Sequence, residues 1–539
     1  MVGDLQVHRT QAPLGAPEIR RFDETFSSFD FVEREFGGEA SIHRAFSLAR
    51  SRRECRTFVR ERIGICGLIE SENQELARRG FYSSPDVYRL SFWMEDLESS
   101  ESLEKALTKN LLGYLIVKRD GATEARSRWH VFESVFQKYN HHHNCVSDPA
   151  VYSVGVGGRV FAISGVMYCQ QNGLTNACAH VALRSLLSRV LPEGDVPYAE
   201  INRICAPHAD GGALAYDPAK GLSAAQIKAV LGHFGVTCRD LDYTAGEDVP
   251  GTSSMRECLP YQKLVYSGVE SGYGALVGFN MPDPEEPGRL CRHLIPFFGH
   301  TFNKDTWVSD AEACYFRFGG RGYIPSESWT SSFIGHDDNF GGNFCVPRLY
   351  IKPSQVDYVV ELMRPGVRYN GVQAELAAFS ILPEIVKFLD RTNVWQQRLD
   401  RALKSQVSRV ILRAVCVSPE RYFRHLEGLV DWQGNSERKD LVRGLSSVAL
   451  PKFMWMVEIS LPQLFPANER KLGEIILDAT TVFDMNRKVP ALSAFLFARL
   501  PGSYFVQNIE GGNDVRFFRW ESDIHAHVKV LCGLYEIVR

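Results

Sequence analysis

The sequence predicts an α+β protein with more than one domain. Its 539 residues exceed the usual size of a single domain. A hydrophobic fraction of 45% and a charged fraction of 23% are typical of a globular chain, not of a disordered or fibrous one. Helix-like and strand-like hydrophobic spacings both occur in neighbouring stretches. We therefore expect an α+β N-terminal domain at residues 1–148, a central mixed domain at 149–348 and a mainly α-helical C-terminal domain at 349–539.

The two flanking domains carry no motif that assigns them a role. In the N-terminal domain, helical spacing extends over residues 41–63, and "VYRLSFWM" (87–94) and "LLGYLIVKRD" (111–120) have the composition of strands. In the C-terminal domain we expect mostly helix, of which "QAELAAFSILPEIVKFLDR" (373–391) is the clearest example, before a mixed C-terminal stretch. Either domain is a candidate surface for a partner protein.

The central domain alternates strands and helices. Residues 160–166 predict a strand and residues 179–190 an apolar helix. In "GLSAAQIKAVLGHFGV", Ser223 followed three positions later by Gln226 forms a capping box, and Gly235 suits the end of that helix. Three further strands are predicted: "GALVGF" (274–279), "HLIPFF" (293–298) and "TWVSD" (306–310).

Composition and charge exclude several functional classes. A net charge of −3 offers no concentrated basic surface for nucleic acid. We expect no membrane insertion and no signal peptide, since no apolar run approaches about 18 residues and the first residues lack an apolar core. The 13 cysteines include no CxxC pair, and their odd number favours reduced thiols and a cytoplasmic location.

The stretch "MYCQQNGLTNACAHVALRSLL" (167–187) places Cys178 at the start of a predicted helix. Unpaired backbone N–H groups and the helix dipole favour a thiolate there, and the thiolate is the nucleophile of cysteine chemistry. Gln170 and Gln171 lie on the preceding loop, where a carboxamide N–H can donate to an oxyanion. Gly173 would let this loop fold back toward the sulfur. The pattern therefore predicts Cys178 as a catalytic nucleophile.

A nucleophilic cysteine needs a base and a group that orients the base. His293 begins the strand "HLIPFF", which follows the strand "GALVGF", and neighbouring strands would present the imidazole across a cleft from the helix. Counting across the next hairpin loop places Asp310 opposite His293, where its carboxylate would hold one ring nitrogen. His300 and Asp305 lie nearer the loop tip and are weaker alternatives.

These stretches resemble the papain-like fold, in the form found in bacterial leader-peptide-cleaving cysteine peptidases. The resemblance spans residues 150–345 and rests on "QQNGLTNACAHVAL", "GLSAAQIKAVLGHFGV", "GALVGF" and "RHLIPFFGHTFNKDTWVSDA". It implies Cys178 as nucleophile, His293 as general base, Asp310 as orienting acid and Gln171 as oxyanion donor. The family glutamine usually stands six positions before the cysteine, where this chain has Asn172, so both Gln170 and Gln171 remain candidates.

Three further motifs receive structural interpretations. His180 lies two positions after the cysteine, so on a helix it points away from it. The run "HHHNC" (141–145) is a poor metal site, because adjacent residues do not all turn toward one ion. The glycine-rich "GHDDNFGGNF" (335–344) is typical of a turn whose Asp side chains bind their own backbone. The alternative is that His336, Asp337 and Asp338 line the cleft or bind a cation.

Together these residues predict a cysteine peptidase that hydrolyses a peptide or isopeptide bond through a thioester acyl-enzyme. We expect a protein or peptide substrate, no metal and no organic cofactor. The same residues would also serve a transglutaminase-like acyl transferase, an amidase or a deamidase. A different alternative is a catalytically silent, papain-like interaction module in which Cys178 is buried.

Overall fold

The structure is a computed structural model of the protein. It describes the following residues: 6–51, 54–137, 144–146, 150–191, 194–208, 221–244, 259–282, 290–301, 317–318, 321–405, 410–446, 449–465, 468–507 and 516–531. The fold is α+β, and its sheets are antiparallel apart from one short parallel pair of strands. No helix within these ranges combines the length and the apolar character that crossing a bilayer requires.

The N-terminal unit is an antiparallel sheet with helices packed on it. Its helices are α1 (Val7–Thr10), α2 (Ser28–Phe36), α3 (Ala40–Ser51), α4 (Gly67–Arg78) and α5 (Ser100–Lys105). Its strands are β1 (Glu18–Arg21), β2 (Thr57–Ile63), β3 (Tyr82–Trp93), β4 (Leu111–Gly121) and β5 (Ser127–Phe136), which lie side by side in chain order. The strands predicted at 87–94 and 111–120 are confirmed as parts of β3 and β4.

The helix predicted over residues 41–63 is wrong in its second half. Helix α3 ends at Ser51 and strand β2 begins at Thr57. In β2 the side chains of Val59, Glu61 and Ile63 are buried while Arg62 is exposed, so the spacing has the period of a strand. Glu61 conceals that period, because it is a charged residue in a buried position.

The central unit contains the helices α6 (Cys178–Val190), α7 (Tyr198–Cys205), α8 (Ala224–His233) and α9 (Tyr261–Glu270). Its strands are β6 (Asn144–Val146), β7 (Ala150–Val156), β8 (Arg159–Gly165), β9 (Thr237–Asp242), β10 (Ala275–Pro282), β11 (Leu290–Thr301), β12 (Arg317–Phe318), β13 (Arg321–Gly322), β14 (Ile324–Pro325), β15 (Ser332–Asp337), β16 (Gly341–Pro347) and β17 (Val356–Met363). The main sheet has the order β16–β15–β11–β10–β17–β9, and β6 also pairs with β11. The helices predicted at 179–190 and after Ser223 are confirmed, the latter with its capping box.

The C-terminal unit contains the helices α10 (Gly371–Val386), α11 (Val394–Lys404), α12 (Pro419–Glu427) and α13 (Lys439–Ser446). Its strands are β18 (Ile411–Val417), β19 (Met454–Ser460), β20 (Arg470–Lys471), β21 (Gly473–Asp478), β22 (Phe495–Leu500), β23 (Ser503–Gln507), β24 (Phe517–Glu521) and β25 (Val528–Lys529). The main sheet of this unit has the order β14–β18–β19–β21–β22–β23–β24.

The expectation of a mainly helical domain at 349–539 is therefore wrong. Every residue of β18 and of β19 is buried, because these central strands are covered on both faces. Strands of this kind have nearly continuous apolar sequences without alternation, which hydrophobic spacing alone does not separate from buried helices.

The expected domain boundaries also need correction. Strand β17 lies beyond residue 348, yet it pairs with β10 in the middle of the central sheet, while β14 lies before residue 348 and joins the C-terminal sheet. Trp93 of the first sheet, Leu183 of α6 and Leu276 of the central sheet belong to one hydrophobic core. The boundary at residue 148 thus divides a single core, and the N-terminal unit packs directly behind the helix that begins at Cys178.

Candidate active site

Cys178 is the first residue of α6, and its side chain is partly exposed. The loop before it is held by Asn172, whose side-chain oxygen accepts hydrogen bonds from the backbone N–H groups of Leu174, Thr175 and Asn176 at 2.8–3.3 Å. Gly173 has a φ of +70°, a backbone conformation that glycine adopts without steric cost. The local sequence therefore shapes the loop that presents the sulfur.

Glu72 of α4 ties this loop to the N-terminal unit. Its Oε1 accepts hydrogen bonds from the side-chain amides of Asn172 at 2.9 Å and Asn176 at 2.8 Å. Its other carboxylate oxygen accepts one from Lys118 Nζ at 3.0 Å. These groups are buried, so the contacts are made away from competing water. The position of the cysteine loop thus depends on a residue about one hundred positions earlier in the chain.

His293 lies on β11, beside the start of α6. Asp338, a neighbour of this imidazole, lines the same small cavity as Cys178, and the thiol helps to raise the pKa of His293. Its Nε2 lies 3.4 Å from Asp337 Oδ2 and 3.5 Å from Asp338 Oδ1. Burial disfavours the charged ring, but the hydrogen bonds with Asp337 and Cys178 and the charges of Asp338 and Asp337 outweigh it, so the pKa of His293 lies well above its usual value.

Asp337 and Asp338 differ in their surroundings. Asp337 Oδ1 accepts a hydrogen bond from the backbone N–H of Asn339 at 2.9 Å. Burial opposes its ionisation, but His293 and the backbone donors lower the pKa of Asp337 overall. Asp338 is only 5% exposed, and neither of its carboxylate oxygens has a hydrogen-bond partner among the described residues. Burial raises the pKa of Asp338 to about 6.

The two carboxylates near His293 come from a stretch for which the sequence analysis predicted a simple turn. Asp337 and Asp338 stand in "GHDDNFGGNF", at the tip of the β15–β16 hairpin, and β15 pairs with β11. Asp310, the predicted orienting acid, and Asp305 lie outside the described residues. The usable signal was a run of polar residues between two strand-like segments, "SFIG" and "GGNFCV", which places charged groups at a hairpin tip.

The two glutamines before the cysteine have different environments. Gln170 is buried, and its amide accepts a hydrogen bond from the backbone N–H of Val131 and donates one to Glu39. Gln171 is partly exposed, and its amide donates to Asn339 Oδ1 at 3.5 Å. The structure therefore occupies the Gln170 amide with structural contacts and places Gln171 between the cysteine loop and the hairpin that carries the aspartates.

Tyr358 of β17 is a neighbour of Cys178 that the sequence analysis missed. Burial raises its pKa, and the nearby charge of the Cys178 thiolate adds to this effect. Its ring lies against Gly278 of β10, where a side-chain carbon would come within 2.5 Å of the ring. The missed signal was Gly278 itself, because a glycine inside a strand often marks a close approach of another group.

The remaining histidine candidates are explained by other contacts. His300 is buried, and its Nε2 lies 2.9 Å from Glu270 Oε1, so it does not serve the cysteine. His180 faces Asn202, with its Nε2 2.9 Å from the amide oxygen, as expected for a structural residue. The histidines of "HHHNC", residues 141–143, lie outside the described residues.

Comparisons with protein-family models, with curated proteins and with solved structures find no match to this chain. The site is therefore interpreted from its own geometry.

Proposed function

We propose that this protein is a cysteine hydrolase that cleaves a peptide or isopeptide bond, with the papain-like pairing of a helix-borne thiol and a strand-borne imidazole. The observation that carries the proposal is that Cys178 and His293, far apart in the chain, meet at one place: Asp338 lies 3.5 Å from His293 Nε2 and lines the same small cavity as Cys178. The thiol also contributes to the raised pKa of His293. A cysteine that only fills space has no need of an imidazole at its sulfur. The partial exposure of Cys178 also leaves the sulfur accessible to a substrate.

In the proposed reaction, His293 Nδ1 takes the proton of Cys178 and the sulfur attacks the substrate carbonyl carbon. The C–N bond then breaks, and the proton on His293 moves to the leaving amine. A water molecule next gives a proton to His293 and its hydroxide to the acyl carbon, which breaks the C–S bond and releases the acid. The protein ends this cycle unchanged.

Three groups assist these steps in the proposal. Asp337, fixed by the N–H of Asn339, holds Nε2 and orients the ring, the role that the sequence analysis assigned to Asp310. The backbone N–H of Cys178, at the first position of α6, is free of helical pairing and can donate to the oxyanion. Gln171 is the second oxyanion donor, because its amide is partly exposed and makes only a 3.5 Å contact with Asn339, whereas the Gln170 amide is buried and bonded at 2.9 and 2.7 Å.

Site-resolved labelling with iodoacetamide tests whether Cys178 is activated. Cys291 and Cys345 are more exposed than Cys178, so accessibility alone predicts that they react first. We expect Cys178 to react first, and we expect His293→Ala to slow its reaction about tenfold or more. Cys291, two positions from His293, serves as the internal control for local unfolding. Preferential labelling of Cys291 and Cys345, with Cys178 unaffected by His293→Ala, would contradict the proposal.

Mass spectrometry of products separates hydrolysis from acyl transfer. The full chain is incubated with a mixture of unfolded proteins in ¹⁸O-labelled water, with Cys178→Ala as the control. Hydrolysis leaves new carboxyl groups that carry the label and depend on Cys178. Amine adducts in place of labelled acids would instead indicate a transglutaminase-like acyl transferase.

A further inference from the structure

Three places among the described residues bring one histidine and two carboxylates close enough to share a cation. They are His8 with Glu133 and Asp195, His130 with Glu72 and Asp120, and His293 with Asp337 and Asp338. In each group, one nitrogen or oxygen atom per residue lies within 4.8 Å of the others. We call the third group the site cluster. Its chemistry differs from that of the other two.

The first two groups already contain their own cations. Arg9 and Arg184 both pair with Glu133, at 2.7 and 2.9 Å. Lys118 pairs with Glu72 and with Asp120, at 3.0 Å in both cases. Each of these groups already holds a buried cation: two guanidinium groups face Glu133 and Asp195, and one ammonium group lies between Glu72 and Asp120. A metal ion would have to compete with these cations.

The site cluster lacks such a cation among the described residues. Its ion pairs are those of His293 with the two aspartates, and Arg128, whose charge acts on Asp338, has an exposed side chain. A buried carboxylate normally pairs with a cation or accepts hydrogen bonds. Asp338 is 5% exposed and accepts none from the described residues. A buried carboxylate whose oxygens accept no hydrogen bond from the described residues is a second sign of a bound cation, beside the convergence of the three side chains.

The distances in the site cluster also suit a metal ion. Nε2 of His293 lies 3.4 Å from Asp337 Oδ2 and 3.5 Å from Asp338 Oδ1. These separations are long for charge-assisted hydrogen bonds, which measure about 2.7–2.9 Å. They match the spacing of about 3.4 Å between ligand atoms that lie 2.0–2.2 Å from a tetrahedral zinc ion. One imidazole and two carboxylates are also a ligand set that zinc accepts.

We propose that His293, Asp337 and Asp338 bind a divalent transition-metal cation, for which Zn²⁺ is the best match, and that the bound metal switches the thiol chemistry off. When both ring nitrogens carry a proton, the metal takes the place of the proton on His293 Nε2, and that proton leaves to solvent; in the neutral ring the single proton moves to Nδ1 as the metal binds Nε2. The ring then keeps its remaining proton on Nδ1, so it has no lone pair for the thiol proton and is a poor acid toward a leaving amine. The first part of this proposal, that the cluster binds a metal (the binding half), depends only on the cluster. The second part, that the metal inhibits the thiol (the inhibitory half), rests on the proposed function.

The binding half is tested by titrating the full chain with Zn²⁺ against a chromophoric chelator. His141, His142 and His143 are replaced by Asn in every sample, so that any zinc measured is not held by this histidine run. We expect one zinc per chain, and an affinity that falls about tenfold or more in Asp338→Asn. Cys178→Ser is the matched control, with unchanged affinity, because its sulfur is not among the atoms that meet at the cluster. Equal affinities for Asp338→Asn and its parent would overturn the metal site.

The inhibitory half is tested with the ¹⁸O assay, with Zn²⁺ added and then removed by chelation. Reversible loss of labelled products in the parent, and a matching loss of zinc sensitivity in Asp338→Asn, support it. Zinc binding without any effect on product formation would overturn the inhibitory half. Zinc binding by a chain in which Cys178 is inert would reject the proposed function and leave the metal site intact, so the two failures are distinguishable.

Discussion

Two clusters at helix α6, one at its middle and one at its first residue, contain similar groups in different surroundings. Deep against α6 lies what we call the arginine cluster: His8, Arg9, Glu133, Arg184 and Asp195, all buried. At the tip of the same helix, Cys178 faces the site cluster. Both clusters contain a histidine and two carboxylates, but in the arginine cluster Glu133 accepts hydrogen bonds from Arg9, Arg184 and Tyr114.

This difference indicates that the partners of a buried carboxylate, and not its burial alone, distinguish a charge that stabilises the fold from one that we propose takes part in the chemistry. Arg9 and Arg184 also pair with Asp195, so the arginine cluster links α1, β5 and α6 with matched charges. At the site cluster, Asp338 is left without hydrogen bonds from the described residues and His293 is shared between carboxylates and a thiol. We therefore expect changes in the first cluster to alter stability and changes in the second to alter activity.

Replacing the nucleophile should have the largest effect. We expect Cys178→Ala to lower kcat/KM about 10³-fold or more, because no acyl-enzyme can form. Its melting temperature should stay close to that of the parent, since the side chain is partly exposed. Cys169→Ala is the matched control: Cys169 is buried and lines the same small cavity as Cys178, so we expect retained activity and about 1 kcal/mol of lost stability. Activity surviving in Cys178→Ala would remove the basis of the comparison.

Breaking the arginine cluster should have the next largest effect, on stability. We expect Glu133→Ala to cost about 3–5 kcal/mol of unfolding free energy, because it leaves Arg9 and Arg184 buried without that carboxylate. Denaturant unfolding measures this value. Glu101→Ala, which removes an exposed partner of Lys105, should leave stability nearly unchanged. A comparable loss in both variants would mean that burial and pairing do not set the cost.

Glu361 is a buried carboxylate that forms no ion pair with the described residues. Its contribution to the free energy of unfolding should change with pH in the opposite direction to that of Glu133. Glu361 is bonded by Ser267 and Asn370, and burial raises its pKa from 4.5 to about 7. Its contribution to stability is therefore complete below pH 4.5 and is lost as the pH rises through about 7. We expect Glu361→Gln to gain up to about 3 kcal/mol over the parent above pH 7. Identical pH profiles of unfolding would contradict this assignment.

The opposite sign follows from the pairing of Glu133. Burial disfavours its ionised form, but Arg9 and His8 outweigh that effect and hold the pKa of Glu133 well below its usual value. The contribution of Glu133 to stability is therefore present at pH values above the pKa that this side chain has in the unfolded protein, and it is lost only as the pH falls through its lower pKa in the folded protein.

The two aspartates of the site cluster should have the smallest and most informative effects. With zinc removed by a chelator, we expect Asp337→Asn to lower kcat/KM about 10- to 100-fold, because Asp337 orients His293 and is itself held by Asn339. Asp338→Asn should cost less, since Asp338 lacks such support. Both variants should keep the parent's melting temperature to within a few degrees. The reverse order of the two activities would assign the orienting role to Asp338.

Local sequence features predicted the elements that carry Cys178 and His293. The glutamines, the Asn-Gly turn and the apolar run after Cys178 are local features, and a capping pattern or a strand period is read from neighbouring residues. His293 was found because it opens a strand next to another predicted strand. These predictions concern single elements, and the structure contains α6, β10 and β11 close to the expected positions. Strand β11 begins at Leu290, so His293 is its fourth residue and not its first.

Other parts of the site depend on which strands become neighbours. The pairing of β15 with β11 brings Asp337 and Asp338 to His293, and the insertion of β17 between β10 and β9 brings Tyr358 toward Cys178. Glu72 reaches the cysteine loop from a helix of the N-terminal unit. Periodicity contains no information on such pairings, because they are set by the packing of whole sheets.

By itself, the sequence placed Cys178 at the start of a helix and His293 on a strand, since local residue patterns indicate helix starts and strands. Only the tertiary structure decided which carboxylates meet that base and which charges are neutralised by arginine. The physical reason is that electrostatic energies depend on the distance between groups in space and on their burial, and both quantities arise only when distant segments of the chain pack together.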